Sequence, residues 1–195
     1  MLTKLSKKIC IQLVNNNKIT DDEKELYVYG VFLLLSGILS TLIIILFGFI
    51  FGCLLETIVF YISFRGIRDY AGGYHANTEI RCQLLTTLTF LSSTYIISIS
   101  DRLIFQKIII VLSIIAIPII IIFSPLDTPS KPLDTDEKKK YRKISLIILS
   151  AITFIIIISI IFGIKLLIVP CCMSLILESI LLVAGVIKGR LVNGN

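Results

Sequence analysis

The sequence predicts an all-α polytopic membrane protein, one membrane-embedded domain over residues 1–195, with about six membrane helices and an N-terminal amphipathic interfacial helix. Three observations predict it. Side chains are 56% hydrophobic and the mean hydropathy is +0.96, well above what a soluble domain uses. Several apolar runs reach or approach the roughly 20 residues that cross a bilayer. Sixteen of the nineteen Lys and Arg residues fall in alternate segments between those runs, the asymmetry that marks a cytoplasmic face. The net charge of +6 would suggest nucleic acid in a soluble chain. Here orientation in a membrane accounts for it, and no nucleic-acid partner is expected. The five cysteines are odd in number, and Cys53, Cys171 and Cys172 sit in apolar runs, so a disulfide framework is not expected. No CxxC or His/Cys cluster suggests a metal site, and no cofactor is expected.

Residues 1–20 open the chain. Leu2, Leu5, Ile9 and Leu13 recur at helical spacing with Lys4, Lys7 and Lys8 between them, the pattern of a helix lying on anionic lipid. A signal peptide fits less well, because lysines break the apolar core and no small-residue cleavage site follows. Thr20 and Glu23 match a capping box, which predicts a helix from Asp21 running into a span over 26–51. The apolar piece 53–64 has 12 residues. At about 18 Å it is too short for a core of about 30 Å. It is therefore re-entrant, or part of a helix that starts deep and extends beyond Phe64; only the second keeps the basic segments on one side. Further spans are expected over 84–100, 103–123, 144–162 and 166–187, with Pro118 and Pro170 kinking theirs. There is no internal repeat.

Orientation follows from charge. Lys and Arg number five in residues 1–26, three in 65–82, six in 124–143 and two in 188–195. The other side holds only Arg102, Lys107 and Lys165. Both termini, the 65–82 segment and the 124–143 loop should face the cytoplasm of the membrane that holds the chain.

The candidate chemistry lies in "RDYAGGYHANTEIRC", residues 68–82, which holds the one histidine of the chain and, seven positions on, Cys82. A thiol becomes a nucleophile when a base or a positive field favours its thiolate. In a continuous helix His75 and Cys82 would share a face but lie about 10 Å apart along the axis, beyond the contact a base needs. The chain must bend between them. Gly72 and Gly73 permit the bend, and Asn77 or Thr78 can cap a helix beginning near Glu79. Cys82 would then lie within about a turn of a helix N-terminus, where partial positive charge accumulates. Arg68 and Arg81 add positive potential. On spacing alone, a His and a Cys seven apart are usually unrelated; the glycine pair, the cap and the membrane-edge position raise the pair above that background. The other cysteines read as small apolar packing residues.

Two further features stand out. The loop "SPLDTPSKPLDTDEKKKYRK", residues 124–143, is either a solvated cytoplasmic turn or a basic dock for an acidic peptide. Glu56 and Glu178 lie within apolar runs, where an ionisable group is costly and often functional. Pairing with a basic residue from 65–82 is as good a reading of them as chemistry.

Residues 68–82, with Arg68, Ala-Gly-Gly-Tyr-His-Ala and the downstream Cys82, resemble the signature of the accessory gene regulator B (AgrB) family. "SPLDTPSKPL" followed by a basic run resembles that family's second signature, although Ser130 stands where the family commonly has Asn. Length, amphipathic N-terminus and membrane segments agree, so the resemblance covers essentially the whole chain.

The resemblance implies a membrane cysteine endopeptidase that processes the precursor of a cyclic autoinducing peptide for quorum sensing. His75 would act as general base and acid and Cys82 as nucleophile. The substrate would be an AgrD-like propeptide with an amphipathic leader and an acidic tail. The tail could meet Lys131, Lys138, Lys139 and Lys140. Arg68 would orient the carbonyl or steady the site, Gly72 and Gly73 would shape the bend, and Asp127 would hold the loop. Membrane lipid and a second copy of the chain, as a homodimer, complete the expected partners. The rival reading is a non-enzymatic transporter or exporter of a small peptide, with which kinked helices and intramembrane Glu56 and Glu178 are compatible.

Overall fold

A computed structural model describes residues 2–16, 18–74, 76, 78–100, 102–127 and 134–193. His75, Asn77, Ser130 and Lys131 lie outside the described residues. Seven helices and no strand occur among those described: α1 (Leu2–Asn15), α2 (Lys24–Ile50), α3 (Leu54–Ala71), α4 (Glu79–Ser98), α5 (Leu103–Phe123), α6 (Thr135–Phe162) and α7 (Lys165–Asn193).

The chain divides into two units, residues 1–43 and 44–195. The first contains α1 and most of α2. The Thr20 amide and hydroxyl both donate to Glu23 Oε2, at 3.0 and 2.8 Å, so the carboxylate reaches back as in a capping box. The helix nevertheless starts at Lys24 rather than Asp21. With the Thr20 hydroxyl turned to the carboxylate, residues 21–23 form a turn closed by Lys24 N–H to Asp21 O at 3.2 Å.

In the second unit α2 ends in a Schellman motif. Gly52 sits at φ +68, the Cys53 N–H donates to Gly48 O at 3.0 Å and the Gly52 N–H to Phe49 O at 3.2 Å. Gly48 lets the end of α2 approach α3 closely, since a Cβ there would stand 3.0 Å from Thr57 Cβ. The helix that follows starts at Leu54 and runs to Ala71 without interruption. Its 18 residues make about 27 Å of helix, so the piece 53–64 is the first part of a longer helix. The Phe60, Phe64 and Phe90 rings then lock α3 to α4, with centroids 5.9–6.2 Å apart across the interface.

Four helices are by themselves long and apolar enough to cross a membrane: α2, α5, α6 and α7. That is fewer than the six spans expected. Glu56, Arg65, Arg68 and Asp69 lower the hydropathy of α3, and frequent Thr and Ser lower that of α4. Pro118 and Pro170 both lie inside uninterrupted helices. α7 is the centre of the unit and packs against α3, α4, α5 and α6. Its most apolar stretch is 67% buried, against at most 28% for those of α2, α5 and α6. A helix apolar all round belongs in such a place, and its small Cys171, Cys172 and Ser174 are buried there.

The unit has two ends. At one, Gly52, Cys53, Glu56, Ile97, Gln106 and Lys165 line a common cavity. At the other, residues 71–74 meet the segment after α5 and the C-terminal part of α7.

Candidate active site

α3 stops at Ala71 because the next two residues turn the chain. Gly72 has φ +78 and Gly73 φ +131, backbone that L side chains resist. The Gly72 N–H closes the helix on Arg68 O at 3.2 Å. Space excludes side chains as well. A Cβ on Gly72 would stand 2.7 Å from Leu126 O, and one on Gly73 would run into the Arg68 guanidinium.

Arg68 folds over this turn. Its Nη1 donates to Gly72 O at 2.5 Å and its Nη2 to Tyr74 O at 2.7 Å. The same Nη1 lies 3.9 Å from Glu178 Oε2 on α7, and that carboxylate is fully buried. Neither Glu178 oxygen accepts a hydrogen bond from the described residues. The turn is held from two more sides. The Tyr74 N–H donates to Leu181 O of α7 at 2.9 Å, and the Leu126 N–H donates to Ala71 O at 2.8 Å. Lys188 Nζ lies 5.0 Å from the centre of the Tyr74 ring, within cation–π range.

The chain re-enters a helix at Thr78, the N-cap of α4, whose hydroxyl accepts from the Arg81 N–H at 3.4 Å. Cys82 follows in the first turn, its N–H donating to Thr78 O at 3.0 Å. All five cysteines are free thiols. Cys10, Cys53, Cys171 and Cys172 are buried and Cys82 alone is partly exposed.

The second signature lies beside the turn. Leu126 touches it directly, and next to it Asp127 pairs with Lys138 Nζ at 2.6 Å. Arg142 Nη1 donates to Ser124 O at 3.1 Å, and the Ser124 and Ser145 hydroxyls are 2.7 Å apart. These contacts tie the segment after α5 to the start of α6. Of the basic run, Lys138 is thus committed to Asp127, Lys139 pairs with Asp136 at 3.5 Å on the surface, and Lys140 is exposed.

Among the site residues named from sequence, Arg68, Gly72 and Gly73 come together in one turn, with Asp127 one residue from its edge. Cys82 lies eight residues beyond Tyr74, on the helix that the intervening segment enters. Sequence reasoning did not find Gly185, where a Cβ would run into the Leu126 side chain and stand 3.0 Å from Tyr74 N. It offered Glu178 a basic partner from residues 65–82 without singling out Arg68, which stands there; the signal was a lone carboxylate in an apolar run.

The sequence profile described as accessory gene regulator B matches residues 6–183. A protein of Clostridium perfringens strain SM101 named as AgrB-like is 30% identical over 167 residues, covering 83% of this chain and 78% of its own length. A second of that kind from C. perfringens strain 13 is 29% identical with the same coverage. One from Listeria innocua is 29% identical over 165 residues, covering 78% of this chain and 76% of its own. No solved structure matches the chain.

Proposed function

This chain belongs to the accessory gene regulator B family, and from that membership we propose that it is a membrane cysteine endopeptidase that matures a cyclic autoinducing peptide. His75 takes the proton from the Cys82 thiol. The thiolate attacks the peptide bond on the C-terminal side of the future ring, and the C-terminal fragment leaves with a proton returned by His75. The peptide is then a thioester on Cys82. A thiol within the peptide attacks that thioester, Cys82 is released, and a thiolactone ring closes. The second step exchanges one thioester for another and needs no ATP. The first trades an amide for a thioester, so removal of the cut fragment pulls it forward. Water must be kept from the acyl-enzyme or a linear peptide results.

The observation that carries this reading is the state of the cysteines. Four are buried, and the one partly exposed thiol is the one that follows the clamped turn, in the first turn of a capped helix. An inert packing cysteine would be enclosed like the others. The membrane arrangement proposed with it has six spans, α2 to α7, and α1 lying in the interface. Support comes from α3, which runs between the same two ends as α5 and α7 although it is less apolar. The propeptide leader lies on the membrane as α1 does. Its acidic tail meets the basic segment that holds Lys131, Lys139 and Lys140, with Asp127 and Lys138 bracing that segment. The enzyme acts as a homodimer, with both termini and the catalytic segment in the cytoplasm.

Co-expression with the AgrD-like propeptide tests the chemistry. Cleavage is expected in the wild type and in Cys171→Ala, and is lost in Cys82→Ala and His75→Ala. Mass spectrometry of the trapped wild type should show the peptide joined to Cys82. Propeptide cleavage that persists in Cys82→Ala would sink the reading and leave a non-enzymatic exporter.

A further inference from the structure

We propose that Glu178 is a positioning residue for this reaction, acting through Arg68 to hold the Gly72 and Tyr74 carbonyls and so the segment that runs into His75. The inference rests on the enzymatic reading above. A carboxylate buried to 0% exposure on the central helix is costly to place. If it served only to pair α7 with α3, the guanidinium donors would point at it. Instead Nη1 and Nη2 point at Gly72 O and Tyr74 O, and the carboxylate stands 3.9 Å behind Nη1. On this proposal the loop receives the hydrogen bonds and Glu178 supplies the countercharge. Without that charge, an arginine only 15% exposed would be drawn toward water on its flexible stem. It would leave two loop carbonyls without donors.

The rest of α7 agrees. Glu178, Leu181 and Gly185 are spaced i, i+3 and i+7, which places them on one face of the helix. Glu178 fixes Arg68, Leu181 O accepts the Tyr74 N–H, and Gly185 leaves room for residues 73 and 74. One face of α7 is therefore the seat of the loop. Tyr74 directly precedes His75 in the chain, so a shift of the seat carries the general base with it.

The test uses the full chain in membranes with its propeptide. Glu178→Gln keeps shape and removes charge. Amide exchange at Tyr74 should rise by roughly tenfold or more, and kcat should fall by roughly 10- to 100-fold with KM changed by less than about threefold. Glu178→Asp keeps the charge and should retain both the protection and most of the cleavage. Glu56→Gln, at the opposite end of the unit, should change neither. Arg68→Gln should reproduce the fast exchange, and the double variant should be no worse than Arg68→Gln alone. Wild-type exchange at Tyr74 in Glu178→Gln, additive losses in the double variant, or an Asp variant as impaired as the Gln variant would each overturn the inference. If Glu178→Gln does not accumulate, Glu178→Asp and Arg68→Gln carry the exchange comparison. Cys82→Ala separates the two levels. Should it still cleave, the enzymatic reading fails, and exchange at Tyr74 alone decides whether Glu178 holds the loop.

Discussion

At Gly185 a single added methyl group decides whether the loop can sit on α7. It would run into the Leu126 side chain and crowd the Tyr74 amide, both of which belong to segments already fixed by hydrogen bonds. Gly189, one turn further on, faces open space, and a Cβ added there would meet no atom within 4 Å. Gly185→Ala should therefore destabilise by about 1–3 kcal/mol through overpacking. Gly189→Ala should be neutral or stabilise by up to about 1 kcal/mol through helix propensity. Thermal unfolding of the two variants in one detergent measures the difference, and equal midpoints would contradict the seat described for the loop. The contrast also marks what the sequence discloses. A Gly-Gly pair beside a polar stretch announces a bend, so Gly72 and Gly73 are legible. A glycine within an apolar run shows nothing until the residues that need its space, 59 positions away in the case of Leu126, are brought to it.

Helix ends follow the same logic one level up. The hydropathy of the sequence marks where lipid-compatible side chains begin, not where the helix begins. α6 starts at Thr135, nine residues before the apolar run, because Asp134 and Glu137 form a complete capping box and Asp136 and Glu137 meet the helix dipole. The Asp-x-x-Glu pattern is visible in the sequence but lies inside a segment whose prolines suit a loop, and a lysine run is as compatible with a helix as with a loop. For the same reason α3 extends past Phe64 and α7 past Ile187. Asp134→Ala should cost about 1 kcal/mol and loosen the first turn of α6, seen as faster amide exchange there. At the start of α2, the Thr20 amide and hydroxyl hold the Glu23 carboxyl below its usual range. A depressed folded value means the stabilisation is present above the ordinary carboxylate pKa and is lost as pH falls through the folded value. The first turn of α2 should thus be less protected against amide exchange, relative to the intrinsic rate, in acid than at neutral pH, and Glu23→Gln should remove that pH dependence. A Glu23→Gln chain with the same acid response would show that Glu23 does not govern it.

For the whole molecule, the decisive issue is which helices cross. α2, α5, α6 and α7 qualify by length and composition. If these four alone crossed, residues 52–102 would lie on one face together, and the basic 65–82 segment would sit opposite the 124–143 segment. The contacts of the second unit argue against that arrangement. Ala71 and Gly72 touch Leu126, while Cys53 and Glu56 share a cavity with Lys165 and Gln106. On the six-span arrangement proposed above, a helix that joins both ends of α5 and α7 crosses where they cross. Its charges divide accordingly, with Arg65, Arg68 and Asp69 near one end and Glu56 near the other. Single cysteines placed in a Cys82→Ala background test this, since the remaining native thiols are buried. Asp69→Cys and Asp136→Cys should react with a membrane-impermeant maleimide only in inverted vesicles, and Arg102→Cys only in intact cells. Those side chains are exposed, and loss of the surface pair Arg65–Asp69 costs at most about 1 kcal/mol, so the substitutions leave the fold in place. Labelling of Asp69→Cys from the same face as Arg102→Cys would mean that α3 and α4 do not cross, and the clamped turn would then open away from the cytoplasm, where no freshly made propeptide could reach it.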